Sequence, residues 1–304
     1  MVQVVKLSYA GFDTPDVEAM LAYYTQVIGF SLVERGNGGA AYLRSSVDYH
    51  TIALYPAAEN RLRHIGLQIS SNQSLKEAGK QLSEQGIQVE LRTDAEPGVP
   101  ELLQFSDPEG HTLHLYETLE QVGNGFPEHG IVPEKLGHIA LAVHSAKNMS
   151  DFYQNLLGFR VSDWMEDFFV FLRCGPDHHT MNFLRSPWVP SMHHIAFQLH
   201  DWAHVQRACD LLGQQGIPLL WGPVRHGVGH NISTYHYDPD HSIVELFTEL
   251  DIMLNEELGY FEPRPWHEEF PQRPKVWKDL SRAANIWGIM PPPEFMRPPE
   301  GGAQ

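Results

Sequence analysis

Cysteine is scarce in this sequence, because Cys174 and Cys209 are the only two among 304 residues. So few thiols exclude a disulfide-stapled scaffold and a cysteine-rich zinc site, and they favour a reduced, cytoplasmic protein. Long apolar runs are missing as well, since no stretch approaches the ~20 residues that a membrane-spanning helix needs. The first residues lack the basic segment and apolar block of a signal peptide. We therefore expect neither a membrane span nor a membrane partner.

Positive charge is also in short supply. Lysine and arginine number 21 against 38 aspartate and glutamate residues, for a formal net charge of −17. A general nucleic-acid-binding protein needs a basic surface, so a nucleic-acid partner is not expected. The hydrophobic content of 42% is enough for a sizeable core, and the length is typical of about two domains. Histidine, with 18 residues, is in excess, which suggests metal or acid–base chemistry.

The two halves of the chain repeat one another at a nearly constant spacing. The matching segments are 22–30 and 151–159 at an offset of 129, 63–69 and 193–199 at 130, 84–89 and 214–219 at 130, and the Asp-Pro pairs 107–108 and 238–239 at 131. Matches at one spacing predict two similar modules, which we place at residues 1–124 and 131–250. The Gly- and Pro-containing stretch 123–130 is the expected linker.

Each module contains a finer repeat. Segments of alternating apolar residues predict strands, stretches with helical spacing follow them and end at glycines, and further strand-like runs come after the helices. The first strands are predicted at 62–69, 136–143 and 192–199, and the helices at 145–157 and 202–215. The later strands are predicted at 168–172, 180–184 and 242–247. The sequence therefore predicts an α+β fold of four βαβββ units, two in each module.

The last part of the chain, residues 251–304, differs in composition. It is rich in proline, tryptophan and arginine and shows little regular periodicity. The side chains of Trp266, Trp277 and Trp287 favour burial. We therefore expect an irregular arm docked on the second module.

Three residues on predicted strands of the second module could bind a metal ion. His138 and His194 occupy the same place in the repeated strand pattern, one in each half of the module. Glu245 stands between apolar neighbours, where a carboxylate is costly unless it is paired or bound to a metal. Two histidines and one carboxylate form the facial triad of non-haem Fe(II) oxygenases. Each histidine alone is more commonly a core residue, but the three together favour a metal site.

The first module provides an internal comparison. The repeat offsets map the three candidate ligands onto Tyr9, His64 and His114. Tyrosine is a poor Fe(II) ligand beside two histidines, and the carboxylate is absent from the equivalent strand. We therefore expect the first module to keep the fold without a metal, with His64 and His114 as core or remnant residues.

The segments around the candidate ligands resemble a known family. Leu-Gly-His-Ile-Ala-Leu at 136–141, His-His-Ile-Ala-Phe at 193–197 and Val-Glu-Leu-Phe at 244–247 are similar to the vicinal oxygen chelate superfamily, with its glyoxalase/bleomycin-resistance-like fold. More narrowly, they resemble the two-domain extradiol (type I) catechol 2,3-dioxygenases. The most specific part is residues 225–245, in which a His, a Tyr and Asp-Pro precede Glu245.

This resemblance covers residues 1–250 and is incomplete at two positions. Thr234 stands where an apolar residue usually precedes the tyrosine, and His241 where a small turn residue is common. Neither departure removes a chemical group that the reaction needs.

The resemblance implies an Fe(II)-dependent enzyme, with Mn(II) as the credible substitute. Its substrates would be a catechol and O2, and it would open the ring beside the two hydroxyls to a hydroxymuconic semialdehyde-type product in aromatic compound degradation. It also implies a homo-oligomer. The residues that match the family are the ligands His138, His194 and Glu245, the acid–base residue His179, and the substrate-side residues His226 and Tyr235.

Two neighbouring histidines remain to be separated from these. Adjacent strand residues face opposite ways, so we expect only one of His178 and His179 to point at the metal. The family spacing, 15 residues before His194, favours His179. The same alternation makes His193 a bystander, on the surface or behind the ligands.

Two other functions stay open. One is another metal-dependent enzyme of the superfamily, such as a glyoxalase or an epimerase, although such enzymes usually share metal ligands across both halves. The other is a non-catalytic protein that binds a small molecule with the same fold.

The substrate itself is not specified by the sequence. We expect the pocket inside the second module, between its sheet and the tail. Aromatic side chains could line it or belong to the core, and arginines could meet a substrate carboxylate or lie exposed. These residues are Phe169, Phe171, Trp188 and Trp221, and Arg225, Arg264 and Arg273.

Overall fold

The first half of the chain forms an eight-stranded mixed sheet. The structure is a computed structural model that describes residues 1–123, 125, 129–253 and 273–296. The strands are β1 (Val4–Thr14), β2 (Ser31–Arg35), β3 (Ala41–Arg44), β4 (Ile52–Pro56), β5 (Arg61–Ile69), β6 (Glu90–Glu96), β7 (Val99–Ser106) and β8 (Thr112–Tyr116), in the order β2-β3-β4-β1-β5-β8-β7-β6. Helix α1 (Val17–Ala22) continues as a π-helical segment, Tyr23–Ile28, and α2 spans Leu75–Glu84.

The second half forms a nine-stranded sheet of the same design. Its strands are β9 (Lys135–Val143), β10 (Arg160–Met165), β11 (Phe169–Arg173), β12 (Met181–Arg185), β13 (Ser191–Gln198), β14 (Leu219–Arg225), β15 (Ile232–Tyr237), β16 (Ile243–Thr248) and β17 (Lys275–Trp277), in the order β14-β15-β16-β13-β9-β12-β11-β10-β17. Helices α3 (Ala146–Leu157), α4 (Trp202–Gln214) and α5 (Leu280–Ala284) complete it, with a 3-10 turn at Pro293–Met296. The predicted α+β fold of four βαβββ units is confirmed.

Local sequence signals account for the ends of the predicted helices. The Ser145 side chain accepts a hydrogen bond from the backbone N–H of Asn148 and starts α3, as N-cap serines do. Gly158 ends α3 with φ 74°, a left-handed conformation that costs glycine little. Gly216 follows the end of α4 with φ 70°. The helix boundaries therefore agree with the prediction to within one residue.

The sheet register establishes which residues of the two modules are equivalent. In the first module β1, the first strand of one unit, pairs with β5, the first strand of the other unit, and β5 also pairs with β8, the last strand of its own unit. In the second module β9, β13 and β16 are paired in the same way. The corresponding rows of paired residues are Tyr9–Gly66–His114 and His138–Ala196–Glu245. The offsets read from the sequence therefore describe real three-dimensional equivalence.

One hydrophobic core runs through both modules. At their junction the ring of Phe30 meets that of Phe197 edge to face, with centroids 5.2 Å apart. The hydroxyl of Tyr23 lies 2.7 Å from Nε2 of His236 and links the π-helical segment of the first module to β15 of the second. Such shared burial is the main stabilising contribution in a fold of this kind.

The described part of the tail packs on the second sheet. Strand β17 runs parallel to β10, and Asp163 accepts hydrogen bonds from the Lys275 backbone N–H at 3.0 Å and the Trp277 indole N–H at 2.8 Å. Trp277 is half-buried, whereas Trp287 is 50% exposed, so the expectation that it is buried is wrong. Trp266 lies outside the described residues. Within the ranges described, no helix combines the length and the apolar character needed to cross a bilayer.

Candidate metal centre

His138, His194 and Glu245 meet on three neighbouring strands, β9, β13 and β16. His138 Nε2 lies 3.1 Å from His194 Nε2 and 3.0 Å from Glu245 Oε2, and His194 Nε2 lies 3.1 Å from the same oxygen. All three side chains are buried. Ligands about 2.1 Å from one metal ion and at right angles to each other are about 3 Å apart. The three donor atoms therefore fit one face of an octahedral metal site.

The carboxylate of Glu245 is held so that one oxygen is left for this face. Its Oε1 accepts hydrogen bonds from Ser233 Oγ at 2.6 Å and Asn231 Nδ2 at 3.0 Å. Burial favours the neutral acid, but the neighbouring His138 and His194 overcome this effect and hold the pKa of Glu245 well below its usual value. The carboxylate is therefore anionic, as a metal ligand has to be.

His193 orients His194. Its Nε2–H donates to the backbone carbonyl of Phe295 at 2.9 Å, and burial lowers the pKa of His193 to about 3. A neutral His193 must then accept at Nδ1, where His194 Nδ1 lies 2.8 Å away and donates. His194 is left with an unprotonated Nε2 directed at the other donors. Such outer partners commonly fix the tautomer of a metal-bound histidine.

His193 thus lies behind a ligand, one of the two positions expected from the sequence, but it has an orienting role there that the sequence did not indicate. Its ring is buried, and the register shift between Met192 and His194 in the β9–β13 pair marks an irregularity at His193. A bulge of this kind breaks the alternation of side chains on which the prediction relied.

We expect His193→Phe to weaken metal binding by about 10–100-fold, because a phenyl ring fills the space but cannot accept the proton of His194 Nδ1. The measurement is a metal titration by competition with a chelator. The same substitution at His200, whose side chain is 74% exposed, should leave affinity unchanged. Equal affinity of the His193 variant and the wild-type protein would contradict the role assigned to His193.

His179 lies beside the three donors. Its ring centroid is 4.4 Å from that of His138 and 5.3 Å from that of Phe171. Burial, followed by the neighbouring His138 and His178, lowers the pKa of His179 well below the ordinary histidine value. His179 is therefore a neutral base beside the donor set.

His178 is also buried, but His179 and not His178 lines the cavity beside the donors. Both histidines lie in the connection before β12, not in a strand. The Nδ1 atoms of the two rings are 3.1 Å apart, and His178 Nε2 lies 3.4 Å from Asp163 Oδ2. His178 therefore links His179 to the carboxylate that also anchors the tail.

His226 and Tyr235 form a hydrogen-bonded pair on the other side of the donors. His226 Nδ1–H donates to the backbone carbonyl of Ala284 at 2.7 Å. Burial lowers the pKa of His226, so its Nε2 accepts from the Tyr235 hydroxyl, also at 2.7 Å. The Trp221 ring stacks on Tyr235 at 5.3 Å. The tail thus sets the protonation of His226, as it does that of His194.

A cavity of about 290 Å³ adjoins the six residues that the sequence assigned to the site, which are His138, His179, His194, His226, Tyr235 and Glu245. Its remaining wall is mostly apolar and includes Phe169, Phe171 and Trp221, which is one of the two alternatives that the sequence left open for these residues. Trp188 is 54% exposed and is not part of this wall. No lysine or arginine lines the cavity among the described residues.

The arginines considered from the sequence lie elsewhere. The guanidinium of Arg225 binds the His230 carbonyl at 2.6 Å and Glu249 at 2.7 Å. Arg273 is exposed, and Arg264 lies outside the described residues. Neither described arginine lines the cavity.

The first module contains a group that the sequence argument missed. Glu96, from the end of β6, joins His64 and His114, with one potential donor atom of each residue within 4.8 Å of the others. The strand equivalent to β16 carries His114 in place of a carboxylate, so the repeat offsets do not point to Glu96. The sequence also matches Asp48-Tyr-His-Thr51 to Asp177-His-His-Thr180. This match makes His50 the repeat equivalent of His179. The expectation that this module binds no metal stays a prediction. Its reason was the absence of a carboxylate, and Glu96 supplies one.

Comparison with protein families matches residues 6–115 and 135–246 to the Glyoxalase/Bleomycin resistance protein/Dioxygenase superfamily. The manganese-dependent 2,3-dihydroxybiphenyl 1,2-dioxygenase of Geobacillus genomosp. 3 is 23% identical over 299 residues, covering 90% of this chain and 94% of the relative. The iron-dependent extradiol dioxygenase of Rhodococcus jostii (strain RHA1) is 25% identical over 217 residues, covering 64% and 72%.

Among solved structures, the Mn(II)-bound glyoxalase from Novosphingobium aromaticivorans superimposes with a TM-score of 0.84. It is 26% identical, and the match covers 99% of this chain and 96% of the other. Similar proteins therefore include enzymes named for either manganese or iron.

Proposed function

The chain belongs to the Glyoxalase/Bleomycin resistance protein/Dioxygenase superfamily, and from this membership we propose that it is an extradiol ring-cleaving dioxygenase of aromatic compound degradation. One observation carries the proposal: a two-histidine, one-carboxylate donor set lies on the same cavity as His179, His226 and Tyr235. Relatives named as extradiol dioxygenases match most of the chain. The substrates are a catechol and O2.

His138, His194 and Glu245 would hold the metal ion. We propose Fe(II), with Mn(II) as the alternative, because two neutral imidazoles and one carboxylate suit both ions and relatives are named for each. When bound, the ion supplies the electronic coupling between catechol and dioxygen that the two molecules lack on their own.

His179 is the proposed proton carrier. A catechol that binds a metal has to release a proton, and a neutral imidazole close to the donor set can accept it. Since His179 Nδ1 faces His178, the proton is taken up at Nε2. The same nitrogen later returns the proton to oxygen, so that His179 acts first as a base and then as an acid.

Tyr235 and His226 orient the substrate. The Tyr235 hydroxyl donates to His226 Nε2 in the structure and can turn to donate to a catechol oxygen instead. It would then stabilise negative charge that develops on that oxygen. His226 Nε2, released from Tyr235, can accept a hydrogen bond from a second substrate hydroxyl.

The cavity favours a catechol with an apolar substituent. Burying a carboxylate without a partner costs several kcal/mol, and no cation lines the described wall. We expect kcat/KM for 2,3-dihydroxybiphenyl to exceed that for a carboxylated catechol by about 10-fold or more. Met290→Lys, which places a cation at a cavity-lining position that is 48% exposed, should narrow this ratio.

The neighbouring variant Ile289→Lys provides the control, since Ile289 is 64% exposed and does not line the cavity. Its substrate preference should match that of the wild-type protein. A wild-type preference for carboxylated catechols would show that the apolar wall does not contact the substituent.

The activity itself is tested by loading the protein with Fe(II) without oxygen and then adding O2 and a panel of catechols. We expect oxygen uptake together with a new yellow absorbance from the ring-opened product.

The alternative is a glyoxalase-like enzyme, which the name of one structural neighbour favours. Isomerisation of a hemithioacetal without oxygen uptake would support that alternative, and binding without turnover of either substrate would indicate a non-catalytic protein. The cytoplasmic location and the homo-oligomeric state stay predictions.

A further inference from the structure

Glu96 is a buried carboxylate with few partners. Its side chain is 4% exposed and accepts hydrogen bonds from the Tyr55 hydroxyl at 3.0 and 2.8 Å. Among the described residues, the basic groups within 4 Å of this carboxylate are the imidazoles of His50 and His64, and no lysine or arginine lies that close. A buried carboxylate in such surroundings is costly unless a cation compensates its charge.

The two histidines that could share an ion with Glu96 come from adjacent parallel strands, His64 from β5 and His114 from β8. Their rings stack with centroids 4.2 Å apart and an angle of 24° between planes. Both are about 3% exposed. His64 Nε2 lies 3.3 Å from Glu96 Oε1, and one nitrogen of His114 completes a set within 4.8 Å. Two imidazole nitrogens and a carboxylate oxygen thus converge in the interior of the module.

An unpartnered nitrogen points to a missing ligand. His64 Nε2 is fully buried and has no hydrogen-bond partner, although Glu96 Oε1 is only 3.3 Å away. Buried polar atoms without partners are rare, and an ion between the two atoms would satisfy both.

His114 has the outer contacts of a metal ligand. Its Nδ1 lies 3.2 Å from the Tyr9 hydroxyl and its Nε2 3.3 Å from Gln104 Oε1. One nitrogen can bind an ion while the other keeps its hydrogen bond, which is the usual arrangement around metal-bound histidines. The backbone also leaves room for the cluster. A Cβ on Gly11 would lie only 2.4 Å from the His64 ring, so the glycine makes space for this imidazole.

We propose that the first module holds a second, structural divalent metal ion bound by His64, Glu96 and His114. His64 Nε2 and Glu96 Oε1 are 3.3 Å apart, close enough to bind one ion, and a nitrogen of His114 lies within 4.8 Å of them. Two imidazole nitrogens and one carboxylate oxygen are donors that Zn(II) accepts. The ion would tie the end of β6 to β5 and β8, and it requires no catalytic activity of the chain.

Metal content tests the proposal. Chelator-treated proteins are dialysed against Zn(II) and analysed by mass spectrometry of the elements. Because each site would bind one ion, we expect about two per chain in the wild-type protein, about one in Glu96→Gln and in Glu245→Gln, and close to none in the double variant. Glu84→Gln, which removes an exposed carboxylate of the first module, should keep both. A single ion in the wild-type protein, or two in Glu96→Gln, would overturn the proposal.

A second measurement needs no substitution in the first module. In the Glu245→Gln variant, Co(II) should produce the intense visible bands of a tetrahedral site, and Zn(II) should raise the melting temperature by several degrees through ligand linkage. Neither effect should occur in the Glu96→Gln/Glu245→Gln double variant if it folds. If the single variant shows neither effect, the first module binds no metal and the proposal fails.

Discussion

Glu245→Gln is expected to abolish ring cleavage and to weaken metal binding by more than about 100-fold. Removing a group that only orients a ligand already costs about 10–100-fold, and this substitution removes the only anionic donor of the set. With its amide oxygen accepting from Ser233 and Asn231 as Glu245 Oε1 does now, the glutamine would direct an N–H₂ group, which cannot bind a metal, at the position of the ligand oxygen. Iron content after dialysis and oxygen uptake with a catechol measure the two effects.

The matched control is Asp167→Asn, which removes the same charge from the second module at a side chain that is 79% exposed. Its metal content and turnover should equal those of the wild-type protein. If Glu245→Gln kept full activity with normal iron content, the assignment of His138, His194 and Glu245 as the ligands would be refuted.

His179→Asn should separate catalysis from metal binding. The three donor atoms are untouched, so the variant should keep its metal and bind catechol without oxygen as the wild-type protein does. Turnover should fall by roughly 10²–10⁴-fold, the usual contribution of a positioned acid–base group. The step after oxygen enters should slow most, because the proton held at His179 is then needed. The measurements are iron content, anaerobic catechol affinity and turnover.

His200→Asn is the control for this experiment, because its imidazole is 74% exposed. It should be silent in all three measurements. Loss of metal from the His179 variant would make this residue a ligand, and unchanged turnover would remove it from the reaction. His178→Asn, by contrast, should change turnover, since the Nδ1 of His178 lies 3.1 Å from that of His179.

The repeat is the reason why so much of the fold could be predicted. Strand alternation, the serine cap of α3 and the glycines at 158 and 216 are local signals, and the structure follows them closely. The repeat also identified the strand positions of His138 and His194, because equivalent strands of paired units meet in the middle of a sheet. Contacts between equivalent positions are therefore predictable from one chain.

The premise of strict side-chain alternation fails at three histidines, although His179 and not His178 lines the cavity. His178 and His179 lie in a connection between strands, and His193 lies at an irregularity of β13. In both places neighbouring rings approach each other, with Nδ1 atoms 3.1 Å and 2.8 Å apart. Alternation is a property of regular strands only, and the sequence carries no clear signal of where it stops.

The sequence by itself determined the two modules, their βαβββ units and the residue types available for a metal site, because each of these is written in local patterns and their repetition. Only the tertiary structure decided which oxygen of Glu245 is free and which tautomers His194 and His226 adopt. It alone brought Glu96 to His64 and His114. These features depend on contacts between residues far apart in the chain, and the packing of the whole fold sets such contacts.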